Sequence, residues 1–145
     1  DEQHFYAFYK ACGYNYLEFC DLGFSQRPDL LPAYHASLAR AVETAQKAGF
    51  EVWILLLAGM KQWDGPGPAG DPGTFSALDK AQLQTRLDRI EATVRATRGA
   101  DGFTFFAGDP GGDPEGRSTI HDCLDFCRQV QRRVKAHAPS ARFSL

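Results

Sequence analysis

The chain has 145 residues, a length that suits a single domain spanning residues 1–145. Its residues are 43% apolar and 23% charged, a composition typical of a soluble globular protein. A formal net charge of −2 argues against nucleic acid or an anionic membrane as a partner, and no apolar run approaches the ~20 residues of a membrane span. The first residue is Asp1 rather than Met, so we expect processing or excision from a longer protein.

Helices and strands alternate along the chain in the predicted secondary structure. The helices carry apolar residues three and four positions apart, and the strands are short apolar runs bounded by Gly, Pro or Asp. Gly13 and Gly49 are placed to end two helices, and Ser118 or Thr119 is placed to cap the last one. In chain order we predict a helix at 3–12, a strand at 16–21, a helix at 31–48, a strand at 51–58, a helix ending at 97 behind a capping box of Ser76 and Asp79, a strand at 102–107, a helix at 119–137 and a strand at 141–145.

Repeated strand–helix–strand units predict a parallel sheet with right-handed crossovers, and therefore an α/β fold. The strand at 51–58 is nearly all apolar, which predicts burial on both faces and places Trp53 in the core or against a helix. The chain opens on a helix and stops as a fourth strand begins, a pattern typical of part of a TIM (β/α)8 barrel, roughly its second to fifth strands. A compact flavodoxin-like sheet is the alternative. A part-barrel leaves its edge strands unpaired, so we expect the remainder of a barrel, or self-association, as partner.

Acidic residues follow three of the predicted strands. Asp21 comes after the first strand, Asp64 after the second and Asp109 after the third. In parallel α/β sheets and barrels, ligands bind outside the carboxyl ends of the strands. The sequence therefore predicts a functional site at this edge of the sheet.

Asp109 is the strongest catalytic candidate. Pro110 fixes one dihedral of its turn, and the glycines that follow allow the backbone to approach a ligand closely. Asp113 is one candidate partner, and Asp21 or Asp64 is the other choice. Paired carboxylates are typical of glycoside cleavage, in which one protonates the leaving oxygen and the other attacks carbon or activates water. In the alternative interpretation, Asp109 only stabilises its own turn.

The long segment after the second strand contains the candidate substrate-binding residues. An indole stacks on the C–H face of a sugar, while neighbouring polar groups bind its hydroxyls. The alternative is an indole that only anchors the segment. The candidates are Lys61, Gln62, Trp63 and Asp64.

No cofactor or metal site is assigned from the sequence. Asp109, Asp113 and Glu115 offer oxygen ligands suited to calcium, although their spacing differs from that of an EF-hand. A zinc site made of His121, Cys123 and Cys127 lacks a C-x-x-C pair. The simpler interpretation of the four cysteines is that they are small buried apolar residues.

The segments KACGYNYLEFCDLGF, EVWILLLAG with its Trp-Asp loop, and ADGFTFFAGDPGG together resemble the barrels of glycoside hydrolases. The resemblance implies a carbohydrate substrate and hydrolysis of glycosidic bonds. In many such families a carboxylate after the fourth strand is catalytic, which implies that role for Asp109. Asp109 is followed by Pro, whereas the largest retaining clan carries an Asn-Glu pair there. The alternatives are a non-catalytic barrel segment that binds a partner chain, and a calcium-dependent sugar-binding module.

Overall fold

A computed structural model of the chain describes residues 2–23, 26–57, 78–106 and 118–145. Within these ranges helices and strands alternate as predicted, and every observed boundary except the start of α3 lies within one residue of its predicted position. No helix in the described ranges is both long enough and apolar enough to cross a membrane. In chain order the elements are α1 (Glu2–Ala11), β1 (Tyr16–Cys20), α2 (Leu31–Lys47), β2 (Glu51–Leu57), α3 (Lys80–Ala96), β3 (Gly102–Phe106), α4 (Ile120–His137) and β4 (Arg142–Ser144).

In the described part of the chain, the strands form one parallel sheet in the order β1-β2-β3-β4. In a doubly wound, flavodoxin-like sheet the strand order reverses at a switch point, and helices cover both faces. A sequential order with right-handed crossovers instead places every connecting helix on one face, as in the wall of a (β/α)8 barrel. The predicted α/β class with parallel βα repeats is therefore confirmed, and the strand order favours a barrel wall over the compact alternative.

The core lies between one face of the sheet and helices α2, α3 and α4. Val52, Ile54 and Leu56 of β2 are fully buried, because alternate side chains of a strand point to the same face. Trp53 lies on the other face, where it is partly exposed beside Tyr16. The prediction that Trp53 faces the core or a helix is therefore wrong. The helices bury Leu38, Val42 and Ala45 from α2, Leu87, Ile90 and Val94 from α3, and Phe126, Val130 and Val134 from α4.

Local sequence explains where the helices begin and end. Gly13 and Gly49 follow α1 and α2 with φ of 89° and 85°, the left-handed conformation that glycine adopts at little cost. Asp79 caps α3 by accepting hydrogen bonds from two backbone N–H groups of its first turn. The predicted capping box has Ser76 as the cap and Asp79 as the third helical residue, so the observed cap at Asp79 lies three residues later than predicted. Ser76 itself lies outside the described residues. The predicted cap of α4 by Thr119 is observed.

The cysteines are free thiols with different degrees of burial. Cys127 is buried, Cys20 and Cys123 are partly exposed, and Cys12 is exposed, so the prediction of buried thiols is wrong for Cys12. Burial, together with the neighbouring Cys123, raises the pKa of Cys127 to about 11, which keeps this thiol protonated at neutral pH. The described residues include no cluster of three side chains able to hold a metal ion, so His121, Cys123 and Cys127 do not form a zinc site.

Candidate active-site face

The ends of the described strands fix the edge of the sheet to which the predicted site residues belong. Because β1, β2 and β3 are parallel neighbours, their last residues, Cys20, Leu57 and Phe106, lie along one edge. Asp21 follows β1 directly and is described. The remaining candidates lie outside the described residues: Lys61, Gln62, Trp63 and Asp64 after β2, and Asp109, Asp113 and Glu115 after β3.

Asp21 is the centre of a buried polar cluster, and its exposed fraction is 0%. Its Oδ1 accepts hydrogen bonds from the backbone N–H of Gly23 at 2.8 Å and from the hydroxyl of Tyr34 at 3.3 Å. Its Oδ2 accepts a hydrogen bond from the hydroxyl of Thr93 at 3.0 Å. Tyr34 belongs to α2 and Thr93 to α3, so the Asp21 side chain joins the end of β1 to both helices.

Tyr34 and Thr93 extend this cluster to a backbone amide and to a histidine. The Tyr34 hydroxyl accepts a hydrogen bond from the backbone N–H of Leu22 at 2.7 Å while it donates to Asp21. The Thr93 hydroxyl lies 3.3 Å from Nε2 of His35. A hydroxyl has a single proton, and Thr93 donates it to Asp21, so His35 must donate from Nε2 in this contact. The hydrogen bonds therefore run in one direction, from His35 through Thr93 to Asp21.

Arg89 brings the end of β2 into contact with the same helix. Its Nη2 donates a hydrogen bond to the carbonyl oxygen of Leu57, the last residue of β2. Arg89 lies four residues before Thr93, and side chains four residues apart share one face of a helix. Helix α3 therefore contacts the end of β1 through Thr93 and the end of β2 through Arg89, and both of these side chains are buried.

Burial and the Asp21 carboxylate together set the ionisation of the groups around them. Burial, with a further contribution from Asp21, raises the pKa of Tyr34 and keeps the phenol protonated. Burial lowers the pKa of His35 and of Arg89, and in both cases the Asp21 carboxylate partly offsets the change. His35 is therefore neutral at pH 7, and its Nε2 proton donates to Thr93. Chemically, this arrangement holds backbone in place and keeps water away from Asp21.

The opposite face of the sheet carries a second polar group that the sequence analysis did not identify. Oε1 of Glu18 accepts hydrogen bonds from the hydroxyl of Thr104 on β3 at 2.5 Å and from the hydroxyl of Tyr16 at 3.1 Å. Burial and the hydrogen bond with Glu18 raise the pKa of Tyr16. The available signal was a charged residue at the middle of the β1 sequence YLEFC, on the same face as Tyr16.

Trp53 connects three strands on this second face, towards their amino ends. Its indole N–H donates to Oε1 of Glu51 at 2.6 Å, and the guanidinium of Arg142 lies 5.2 Å from the indole centroid. Arg142 also forms an ion pair with Glu51. The indole covers Gly102, and a Cβ at that position would overlap its ring carbons. In TIM barrels the amino-terminal end of the strands serves stability rather than chemistry, so this group is part of the scaffold.

Comparison with known proteins supports the barrel architecture. No family model and no curated protein matches the sequence. Among solved structures, a variant of the glycoside hydrolase GH5_18 from Streptomyces cattleya, in complex with Manβ1-4GlcNAc, is similar, with a TM-score of 0.64 at 18% sequence identity. The match covers 92% of this chain and 36% of that chain, so this chain spans about a third of the enzyme's length. The described strands and helices thus have the fold of part of a TIM barrel.

Proposed function

We propose that this chain is part of a carbohydrate-active hydrolase that cleaves glycosidic bonds at the carboxyl ends of its parallel strands. The observation that carries the proposal is the likeness of its βα wall to a glycoside hydrolase solved with Manβ1-4GlcNAc. In barrels of this kind, ligands bind beyond the carboxyl ends of the strands, and in this chain acids follow those ends in the sequence. A β-linked mannosyl oligosaccharide is the substrate class that this likeness favours.

Asp109 is the proposed acid or nucleophile, with Asp113 as its proposed partner. Asp109 comes three residues after Phe106, the last residue of β3, and so follows the carboxyl end of that strand in the sequence. One carboxyl group protonates the leaving oxygen, and the other attacks the anomeric carbon or activates a water molecule. A separation of about 5 Å between the two carboxyl groups corresponds to retention of configuration, and a larger one to inversion.

Trp63 is the proposed platform for a sugar ring. The apolar face of an indole packs on the C–H groups of a pyranose, and Lys61, Gln62 and Asp64 supply polar atoms for its hydroxyls. The segment that carries these residues begins at the end of β2, and Asp109 follows β3. Because β2 and β3 are neighbours in the sheet, a sugar held after β2 lies close to an acid held after β3.

Replacing Asp109 by Asn in the full-length protein tests the proposed function. We expect the rate of Manβ1-4GlcNAc hydrolysis to fall by about 10²- to 10⁴-fold, because an amide neither donates the proton nor attacks carbon. Asp125→Asn is the matched control, since the Asp125 side chain is 66% exposed on α4, where it pairs with Arg128. The control is expected to keep wild-type activity. If Asp109→Asn melts like the wild type and hydrolyses the disaccharide at the wild-type rate, Asp109 does not have the assigned role.

A further inference from the structure

We propose that Asp21 is a positioning residue rather than a catalytic carboxylate, and that helix α3 fixes the carboxyl ends of β1 and β2 through Thr93 and Arg89. This inference rests on the proposed hydrolase function. It adds to that function by identifying the side chains that hold the strand ends from which the site is built.

The surroundings of Asp21 support the first half of the proposal. A catalytic carboxylate has to meet the substrate, whereas Asp21 is fully buried and both of its oxygens accept hydrogen bonds from protein atoms. Asp21 holds the turn after β1 in two ways. The backbone N–H of Gly23 donates to it directly, and the Tyr34 hydroxyl that donates to it also accepts from the backbone N–H of Leu22. A Cβ at position 23 would lie 2.9 Å from Oδ1 of Asp21, so glycine permits the close approach of this turn.

The contacts of α3 support the second half. Thr93 binds Asp21 at the end of β1, and Arg89, one turn earlier, binds the Leu57 carbonyl at the end of β2. The two strand ends are also joined directly, because the backbone N–H of Asp21 donates to the carbonyl of Leu55 at 2.9 Å. One helix and one backbone hydrogen bond therefore fix the spacing of two neighbouring strand ends.

This arrangement has a specific kinetic consequence. In the proposed function, the segment that carries the sugar platform Trp63 follows β2 in the sequence, whereas the reacting acid Asp109 follows β3. Loosening the ends of β1 and β2 therefore displaces the bound sugar more than the reacting acid. Small displacements of positioning groups are costly in enzymes, so we expect KM to change more than kcat.

Thr93→Val and Thr97→Val form a matched pair for the first test in the full-length protein. Both substitutions remove a buried hydroxyl at nearly constant shape, Thr93 within α3 and Thr97 at the residue that directly follows it, but the Thr97 hydroxyl donates to the Thr93 carbonyl of the same helix at 2.8 Å. We expect Thr93→Val to raise KM for Manβ1-4GlcNAc about tenfold, with kcat within about twofold of the wild type, and to accelerate amide hydrogen exchange at Leu22 and Gly23. Thr97→Val is expected to leave all three quantities unchanged. If Thr93→Val matches Thr97→Val in KM and in exchange, the proposal is overturned.

Asp21→Asn is the second test, because the amide keeps one oxygen that can accept from Gly23 and Tyr34. A positioning role predicts a raised KM, a kcat within about tenfold of the wild type, and a pH profile of kcat with both limbs retained. A loss of about 10²- to 10⁴-fold in kcat, together with the loss of one limb, would make Asp21 a catalytic group and overturn the proposal. If the wild-type protein hydrolyses no disaccharide, the proposed function fails and the positioning role fails with it. An active wild type with unaltered Thr93→Val kinetics and exchange removes the positioning role alone.

Discussion

Gly102 is required by the ring that lies on it. The residue is buried at the start of β3, directly beside Trp53 in the parallel register, and the indole occupies the space that a side chain at position 102 would fill. The backbone conformation of Gly102 does not itself demand glycine, because its φ is not positive. The requirement is therefore one of packing, because a single methyl group added at this position would overlap the indole.

We expect Gly102→Ala to lower the free energy of unfolding by about 1–3 kcal/mol, the usual cost of forcing a close-packed group to move. Urea unfolding followed by circular dichroism measures this change. Gly99→Ala is the control, because nothing lies within 4 Å of a Cβ built at Gly99, and its stability is expected to stay near that of the wild type. Equal stabilities for the two variants would show that the indole moves aside without cost.

The position of Asp21 could be predicted from sequence, but its surroundings could not. The sequence places an acid directly after the first strand, and Asp21 does follow β1, which ends at Cys20. Its partners Tyr34 and Thr93 lie 13 and 72 residues further along the chain, so no local pattern joins them to it. Glu18 and Thr104 are likewise 86 residues apart. Side-chain partners of this kind depend on tertiary packing rather than on spacing.

Most element boundaries were predictable because local chemistry defines them. Gly13 and Gly49 supply left-handed backbone where α1 and α2 end, and Thr119 begins α4 with a reciprocal pair of hydrogen bonds. The Thr119 hydroxyl accepts from the backbone N–H of Asp122, and the Asp122 carboxylate accepts from the backbone N–H of Thr119 at 2.7 Å. The face taken by Trp53 was not predictable in the same way, because β2 is apolar on both faces.

Removing the cap of α4 tests this local account. We expect Thr119→Ala to lower the free energy of unfolding by about 1 kcal/mol, because the backbone N–H of Asp122 then loses its side-chain acceptor. Thr119→Ser keeps the hydroxyl and is expected to retain most of the stability. Chemical denaturation of the two variants side by side makes the measurement. If the alanine variant is as stable as the serine variant, the cap contributes nothing to the folded protein.

At the scale of the whole molecule, the described sheet has one face covered by α2, α3 and α4 and a second face on which polar and aromatic side chains contact one another. The cluster around Asp21 lies on the helix-covered side, so its ionisable groups are linked to folding. His35 is the histidine of this cluster. Its Nε2 lies 3.3 Å from the Thr93 hydroxyl of α3, its ring lies beside Tyr34 on its own helix, and the Asp21 carboxylate acts on its ionisation.

This arrangement predicts how stability depends on pH. Burial lowers the pKa of His35 below its ordinary value of 6.5, so the unfolded chain binds a proton at higher pH than the folded protein does. The free energy of unfolding therefore falls as the pH drops below 6.5, until the pH reaches the pKa of His35 in the folded protein. We expect His35→Gln to reduce this slope in unfolding experiments between about pH 7.5 and about pH 5.5.

Glu91→Gln provides the control for that experiment. The hydrogen bond with His137, supported by Arg133, lowers the pKa of Glu91 below its ordinary value of 4.5. The stability that Glu91 contributes is present above pH 4.5 and is lost as the pH falls through the folded pKa. The slope above pH 5 is therefore expected to survive in Glu91→Gln. An unchanged slope in His35→Gln would assign the dependence to another group.

The row formed by Trp53, Gly102 and Arg142 has a further consequence for how the sequence can vary. These residues stand in register across β2, β3 and β4; the indole fills the space above the glycine, and the guanidinium lies over the indole. The three positions therefore divide a fixed volume among them and cannot change independently. A related chain with a larger side chain at 102 needs a smaller one at 53, and it then has no ring for a guanidinium at 142 to cover. Substitutions in this row are expected to occur together, although the positions are far apart in the chain.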